Sequence, residues 1–159
     1  MIVTSVTVRV PAKINLQLAV GPLRPDGYHG LVTVFHAIGL FDMVSVAAAE
    51  ADSVAVTGEG AGQVPADGDN LALRAVRALR AVVGVQAGPG VAVTINKRIP
   101  VAAGLAGGSA DAAAALVACN ELWRTGLSQA ELCELAASIG SDVAFGLVGG
   151  TAIDRKSVV

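Results

Sequence analysis

The sequence predicts an α+β domain. Three observations carry this. Val, Ile and Leu alternate with polar residues through the first third, as in MIVTSVTVRV and SVAVTG; helical spacing begins only at Asn70; and strands and helices do not alternate as strict βα units. At 159 residues, with 53% hydrophobic and 15% charged, the chain is long enough to bury one core and too apolar to be disordered.

Residues 3–10 and 14–20 are predicted as two short strands meeting at a bend at Pro11. GPLRPDG reads as a turn through Pro25, Asp26 and Gly27. LVTVFHAIGL, MVSVAAA and SVAVTG are further strands, followed by a Gly- and Asp-rich loop from Glu59 to Asp69. NLALRAVRALRAVV, from Asn70, places Leu71, Ala75, Val76, Leu79 and Val83 near helical spacing, with Arg74, Arg77 and Arg80 on the polar side. GVAVTINK is another strand. A helix ending at Trp123 follows a glycine-rich stretch, and SQAELCELAASIG opens with Ser128 three residues before Glu131, a capping-box pattern. SDVAFGLVGGTA, after Gly140, reads as a loop. The two helices of the second half are expected to cover one face of a sheet built by the first.

The net charge of −2, from 11 Lys+Arg against 13 Asp+Glu, gives no electrostatic case for nucleic acid or an anionic membrane. An RNA-binding α+β domain would show a basic stripe with exposed aromatics, but aromatics are only 3%. The N-terminus has no basic segment before an apolar core. The longest uncharged stretch, Ala81 to Asn96, is broken by Gly84, Gly88, Pro89 and Gly90, so a cytoplasmic chain without a membrane span is expected. Cys119 and Cys133 fall in helical patterns and read as small buried hydrophobes rather than a disulfide.

The stretch IPVAAGLAGGSADAAAAL, residues 99–116, contains no aromatic and one charge. Glycines crowd directly before a helix, whose first backbone N–H groups lack internal partners and carry partial positive charge. A phosphate cradle and a plain tight turn both fit that spacing. In the cradle reading Pro100 stiffens the entry, residues 104–109 bring N–H groups to phosphate oxygens, and Ser109 adds a hydroxyl. Alanines at 110 and 112–115 let the helix lie close to its neighbours. The Walker loop and the dinucleotide fingerprint are both absent.

PVAAGLAGGSADAA resembles the phosphate-binding motif of the GHMP kinases, and VPAKINLQLAV and GSDVAFGLVGGTA resemble that superfamily's other N-terminal segments. PAKIN, RPDGYHGLVTVFHAI, DNLALRA and GSDVAF together are similar to those members that phosphorylate a cytidine diphosphate sugar alcohol for isoprenoid precursor synthesis. The likeness runs from about Val8 to Ala152. It implies the N-terminal domain of the two-domain GHMP kinase fold, a mixed sheet covered by helices, with ATP and Mg²⁺ as cofactors and a small-molecule acceptor. The ATP-binding domain would occupy residues 1–153, with 154–159 an atypical tail and the C-terminal domain absent from the chain.

By the same resemblance Asp142 is the catalytic base and Lys13 stands beside it. Asn15 hydrogen-bonds the acceptor or the base, while Tyr28 stacks on cytosine and His29 reads its edge. Asn70 and Lys97 lie near the adenine. Pro100, Ala102, Ala103, Gly104, Leu105, Ala106, Gly107, Gly108 and Ser109 form the ATP loop. Without the resemblance, Asp142 reads as a helix N-cap after Gly140, Lys13 and Lys97 as solvated strand ends, Asn15 as part of a polar strand face, Tyr28 as a turn aromatic and Asn70 as a helix cap. Two departures stand out: Ala106 replaces a usual glycine and Ala110 a usual second serine, which leaves the protein ligands of the metal open. A homoserine- or mevalonate-type kinase is the alternative, and DGYH argues against it because those substrates offer no base to stack on.

Overall fold

Two long antiparallel strands, β1 (Ser5–Leu23) and β2 (His29–Ala49), run side by side along most of their length. The computed structural model describes residues 4–23, 25, 29–84, 88 and 90–154. Where two pairs of short strands were expected, each pair is one continuous strand. Pro11 does not break β1 because β1 lies at the sheet edge, where a missing N–H need not remove a ladder bond. The register of β1 against β2 shifts just after this proline, at Pro11/Lys13, and again at Asn15/Gln17 and Val20/Leu23.

β3 (Ser53–Gly58) and β4 (Gly90–Lys97) complete the order β1-β2-β4-β3, with β3 and β4 parallel and β4 antiparallel to β2. A fifth strand, β5 (Thr151–Asp154), pairs with residues 33–36 of β2. The sheet is mixed and carries helices, as the α+β expectation required.

α1 (Leu71–Val83) is capped by Asn70, whose side chain accepts from the Ala72 N–H. α2 (Gly107–Trp123) runs along β1 and β2, and its central residues Ala112 to Leu116 are fully or almost fully buried. Val44, Val46, Val93 and Ile95 of the sheet form one core with Val76 and Leu79 of α1 and the alanines of α2. α3 (Gln129–Ile139) opens with the expected capping box: the Ser128 N–H donates to Glu131 Oε2, and the Glu131 N–H donates to Ser128 Oγ. The Ser128 hydroxyl also donates to Glu131 Oε2, and this bond, with that from the Ser128 N–H, holds the Glu131 carboxyl below its usual range.

The segment after Gly140 was expected to be a loop. It is instead α4 (Ser141–Val148) followed by β5, joined through Gly149 and Gly150 at φ +65° and +62°. Eight residues are too few for periodicity to show a helix, so tertiary packing decides this one. Cys119 is buried, which pushes its thiol up to about 12. Cys133 is only partly buried, contrary to expectation, and neither cysteine is disulfide-bonded. No helix among the described residues is long and apolar enough to cross a membrane.

Candidate active site

The glycine loop leaves β4 at Lys97 and enters α2 at Gly107. Its turns use left-handed backbone at Ala102, Gly104 and Ala106, with φ of 58°, 73° and 58°. Ala106 is the N-cap of α2 and provides no side-chain cap, and no acidic residue stands in the first helical turn. The N–H groups that open α2 therefore keep their partial positive charge for an outside acceptor.

A cavity of about 420 Å³ lies against this loop. Pro100, Ala102, Gly104 and Ala106 line it from the loop, and Gly107, Gly108 and Ser109 from the start of α2. Asn70 and Lys97 border it as well, together with Gln63, Val64, Pro65 and Asp69, which sequence reasoning did not single out. Ala103 and Leu105 do not line it. The Leu105 carbonyl instead accepts from the Lys13 N–H at 3.1 Å, tying the loop to β1 where β1 departs from regular pairing with β2.

The same loop reaches a second group of side chains. Lys13 Nζ donates to Asn15 Oδ1 at 2.7 Å and to the Gly104 carbonyl at 3.3 Å, and stands 3.8 Å from Asp142 Oδ2. It also lies 5.1 Å from the centre of the Phe35 ring. Lys13 is only 8% exposed, so the solvated strand end is overturned. Asn15 Nδ2 donates to Thr33 Oγ1, which donates to the Gln17 carbonyl, so the Asn15 amide is held from both sides. Asp142 is not an N-cap, since Gly140 holds that place and Asp142 sits in the first turn of α4.

Lys97 is not a surface strand end either. It is 2% exposed, and its ammonium donates to Asp42 Oδ2 at 2.5 Å and to Asp111 Oδ2 at 2.8 Å. Burial, against the opposing pull of the Lys97 charge, pushes the Asp111 carboxyl up to about 7. Asp111 is the one charge of the glycine stretch, a signal visible in the sequence, whereas nothing local marked Asp42. His29 lies at the far end of the β1–β2 hairpin, eight positions along β2 from Ala37, the partner of Lys13. Its Nδ1 bonds the Gly21 carbonyl at 2.8 Å. Tyr28 is outside the described residues.

Two groups are thus joined by one loop: an anion-ready helix start facing a cavity, and a lysine–carboxylate pair on the loop's carbonyl side. Among the described residues no cluster of three metal-ligating side chains occurs.

The model of the GHMP kinases N terminal domain matches residues 70–152, from the α1 cap through the loop, α2 and α4 to β5. A Saccharopolyspora erythraea protein named 4-diphosphocytidyl-2-C-methyl-D-erythritol kinase is 57% identical over 154 residues, covering 96% of this chain and 48% of that protein. A Streptomyces coelicolor protein of the same name is 58% identical over 151 residues, covering 94% and 50%. A crystal structure of 4-(cytidine 5'-diphospho)-2C-methyl-D-erythritol kinase superposes with a TM-score of 0.76 at 36% identity, over 95% of this chain and 52% of that one. Homoserine kinase from Cytophaga hutchinsonii, at 20% identity and a TM-score of 0.74, shares the fold. The chain spans about half the length of the curated relatives it matches. On its family match and on the glycine loop at the centre of that match, this chain belongs to the GHMP kinase N-terminal domain family.

Proposed function

We propose that the chain is the nucleotide-binding half of a kinase that transfers the terminal phosphoryl group of ATP to a hydroxyl of 4-diphosphocytidyl-2-C-methylerythritol. The observation that carries this is the double use of Gly104. It borders the cavity at the start of α2, and its carbonyl holds the ammonium that faces Asp142. Donor phosphates at the α2 N-terminus and an acceptor hydroxyl at Asp142 would then meet across one loop.

In this reading the N–H groups of residues 107–109 take the phosphate oxygens, and Ser109 adds its hydroxyl. MgATP arrives as one substrate, its metal carried mainly by the phosphates, as is usual for Mg²⁺ at such sites. Asp142 accepts the proton of the attacking hydroxyl, while Lys13, 3.8 Å from that carboxylate, offsets charge developing on the phosphoryl group. Positioning and charge carry the reaction, so one carboxylate and one ammonium suffice. At the other end of the hairpin, the Gly21 carbonyl can only accept, so His29 must donate from Nδ1. In its neutral form His29 then offers Nε2 as an acceptor, and the exocyclic amine of cytosine is a donor. Tyr28 would stack on the same base.

Residues 1–153 form the ATP-binding domain in this proposal, and β5 carries it one residue further, to Asp154. Leu16 and Leu18 of β1, Val148 of α4 and Ile153 of β5 are each more than half exposed. In this proposal a second domain, of the length by which the relatives exceed this chain, would cover these side chains. The test is a phosphotransfer assay on the enzyme at the length of its relatives, with ATP and the cytidine diphosphate sugar alcohol. ADP release that depends on this acceptor is expected. Turnover with homoserine or mevalonate instead, or with no acceptor tried, would reject the assignment.

A further inference from the structure

We propose that Asp42, Lys97 and Asp111 form a buried bracket that positions the glycine loop, and so sets the affinity for nucleotide without providing its phosphate contacts. The proposal rests on the reading of this loop as the nucleotide site. Its parts come from three elements. Asp42 lies on β2, Lys97 ends β4, and Asp111 is the fifth residue of α2.

All three side chains are at most 2% exposed. Asp42 Oδ1 accepts the successive backbone N–H groups of Arg98 and Ile99, at 2.5 and 2.8 Å, which fixes the loop's entry. Asp42 Oδ2 accepts from Lys97 Nζ, and the same ammonium donates to Asp111 Oδ2, which fixes the loop's exit into α2. Both ends of the loop are thereby held to a single ammonium. The fit is close, since a Cβ on Gly107 would stand 2.8 Å from Lys97 Nζ and 3.0 Å from Ile99 Cγ2. Gly107 is the opening helical residue of α2, so the ammonium supports the very point where the anion-binding N–H groups begin.

Stability alone is a poor reason for this bracket. Well-packed apolar residues commonly replace buried ionic groups without loss of stability. Electrostatic attraction of phosphate is also a poor reason, because one ammonium shared between two carboxyl groups leaves no net positive charge. Geometry remains, as two carboxylates and an ammonium make directed contacts to the loop entry and helix start that an apolar plug cannot. Asp111 Oδ1 is buried without a hydrogen-bond partner in a residue that borders the cavity, so Asp111 is held by Lys97 through one oxygen only.

The experiment compares MgATP dissociation constants and melting temperatures for wild type, Asp111→Leu and Asp111→Asn. Asp111→Leu removes the acceptor for Lys97 and the orphaned oxygen. It is expected to weaken MgATP at least tenfold with little change in melting temperature. Asp111→Asn keeps an acceptor for Lys97 while losing the charge, and is expected to stay within about threefold of wild type. Should Asp111→Leu not fold, Asp42→Asn is the second variant. One amide oxygen cannot serve both Lys97 and the loop N–H groups, so the same tenfold loss is expected. Wild-type affinity in the variants that break the bracket, or equal weakening in Asp111→Asn and Asp111→Leu, overturns the proposal while leaving the nucleotide site standing. No MgATP binding by wild type overturns both.

Discussion

A Cβ placed on Gly146 would stand 2.6 Å from the Cβ of Ala113. α4 crosses α2 at this point with only the Ala113 methyl between the two backbones, and the crossing holds Asp142, four residues earlier on α4, beside Lys13. Gly146→Ala should therefore push the helices apart, at a cost of about 1–3 kcal/mol of overpacking. Thermal unfolding should show a lowered melting temperature, and kcat should fall as Asp142 leaves its place. A variant with unchanged stability and turnover would show that the contact is not tight.

Asp142→Asn keeps the shape of the side chain but cannot accept a proton. Turnover should fall by about 10²–10⁴, the usual worth of a positioned general base. MgATP binding should remain within about twofold, because the phosphate N–H groups lie on the other side of the loop. The loss then appears in kcat and not in nucleotide affinity. Near-normal kcat would remove Asp142 from the role of base.

Ala106 sits at φ 58°, ψ 33°, where an L-residue's Cβ is crowded. Ala106→Gly relieves roughly 1–2 kcal/mol of that strain and gives back about 0.4–1 kcal/mol through the freer unfolded chain. A net gain of between about 0 and 1.6 kcal/mol is expected in denaturant unfolding. A loss of stability would mean the left-handed turn is not strained.

The Asp111 carboxyl is raised from 3.8 in the free side chain to about 7, chiefly by burial. Lys97 on β4 and Asp42 on β2 face it. In the folded state it binds its proton more tightly than in the unfolded chain. Its contribution to stability is therefore full below about pH 4 and is lost as pH rises through about 7. Asp111→Asn cannot ionise, so the stability difference between variant and wild type should change across pH 4–7 and level off above it. A pH-independent difference would place the Asp111 carboxyl at its ordinary value.

Local chemistry made much of this protein legible from its sequence. The Asn70 cap, the Ser128–Glu131 box, α1 to α3, β3, β4 and the glycine loop all follow from neighbours a few residues apart. The resemblance in the PAKIN and GSDVAF segments pointed to Lys13, Asn15 and Asp142, which the fold brings together. What the sequence could not carry depends on partners far along the chain. α4 and β5 form because α2 and β2 offer them a surface. Pro11 is tolerated in a long strand because that strand lies at an edge. Lys97 is buried rather than solvated because carboxylates 55 and 14 residues away converge on it. A side chain's charge is written in the sequence, but whether water or another charge answers it depends on which distant segments the fold packs against it.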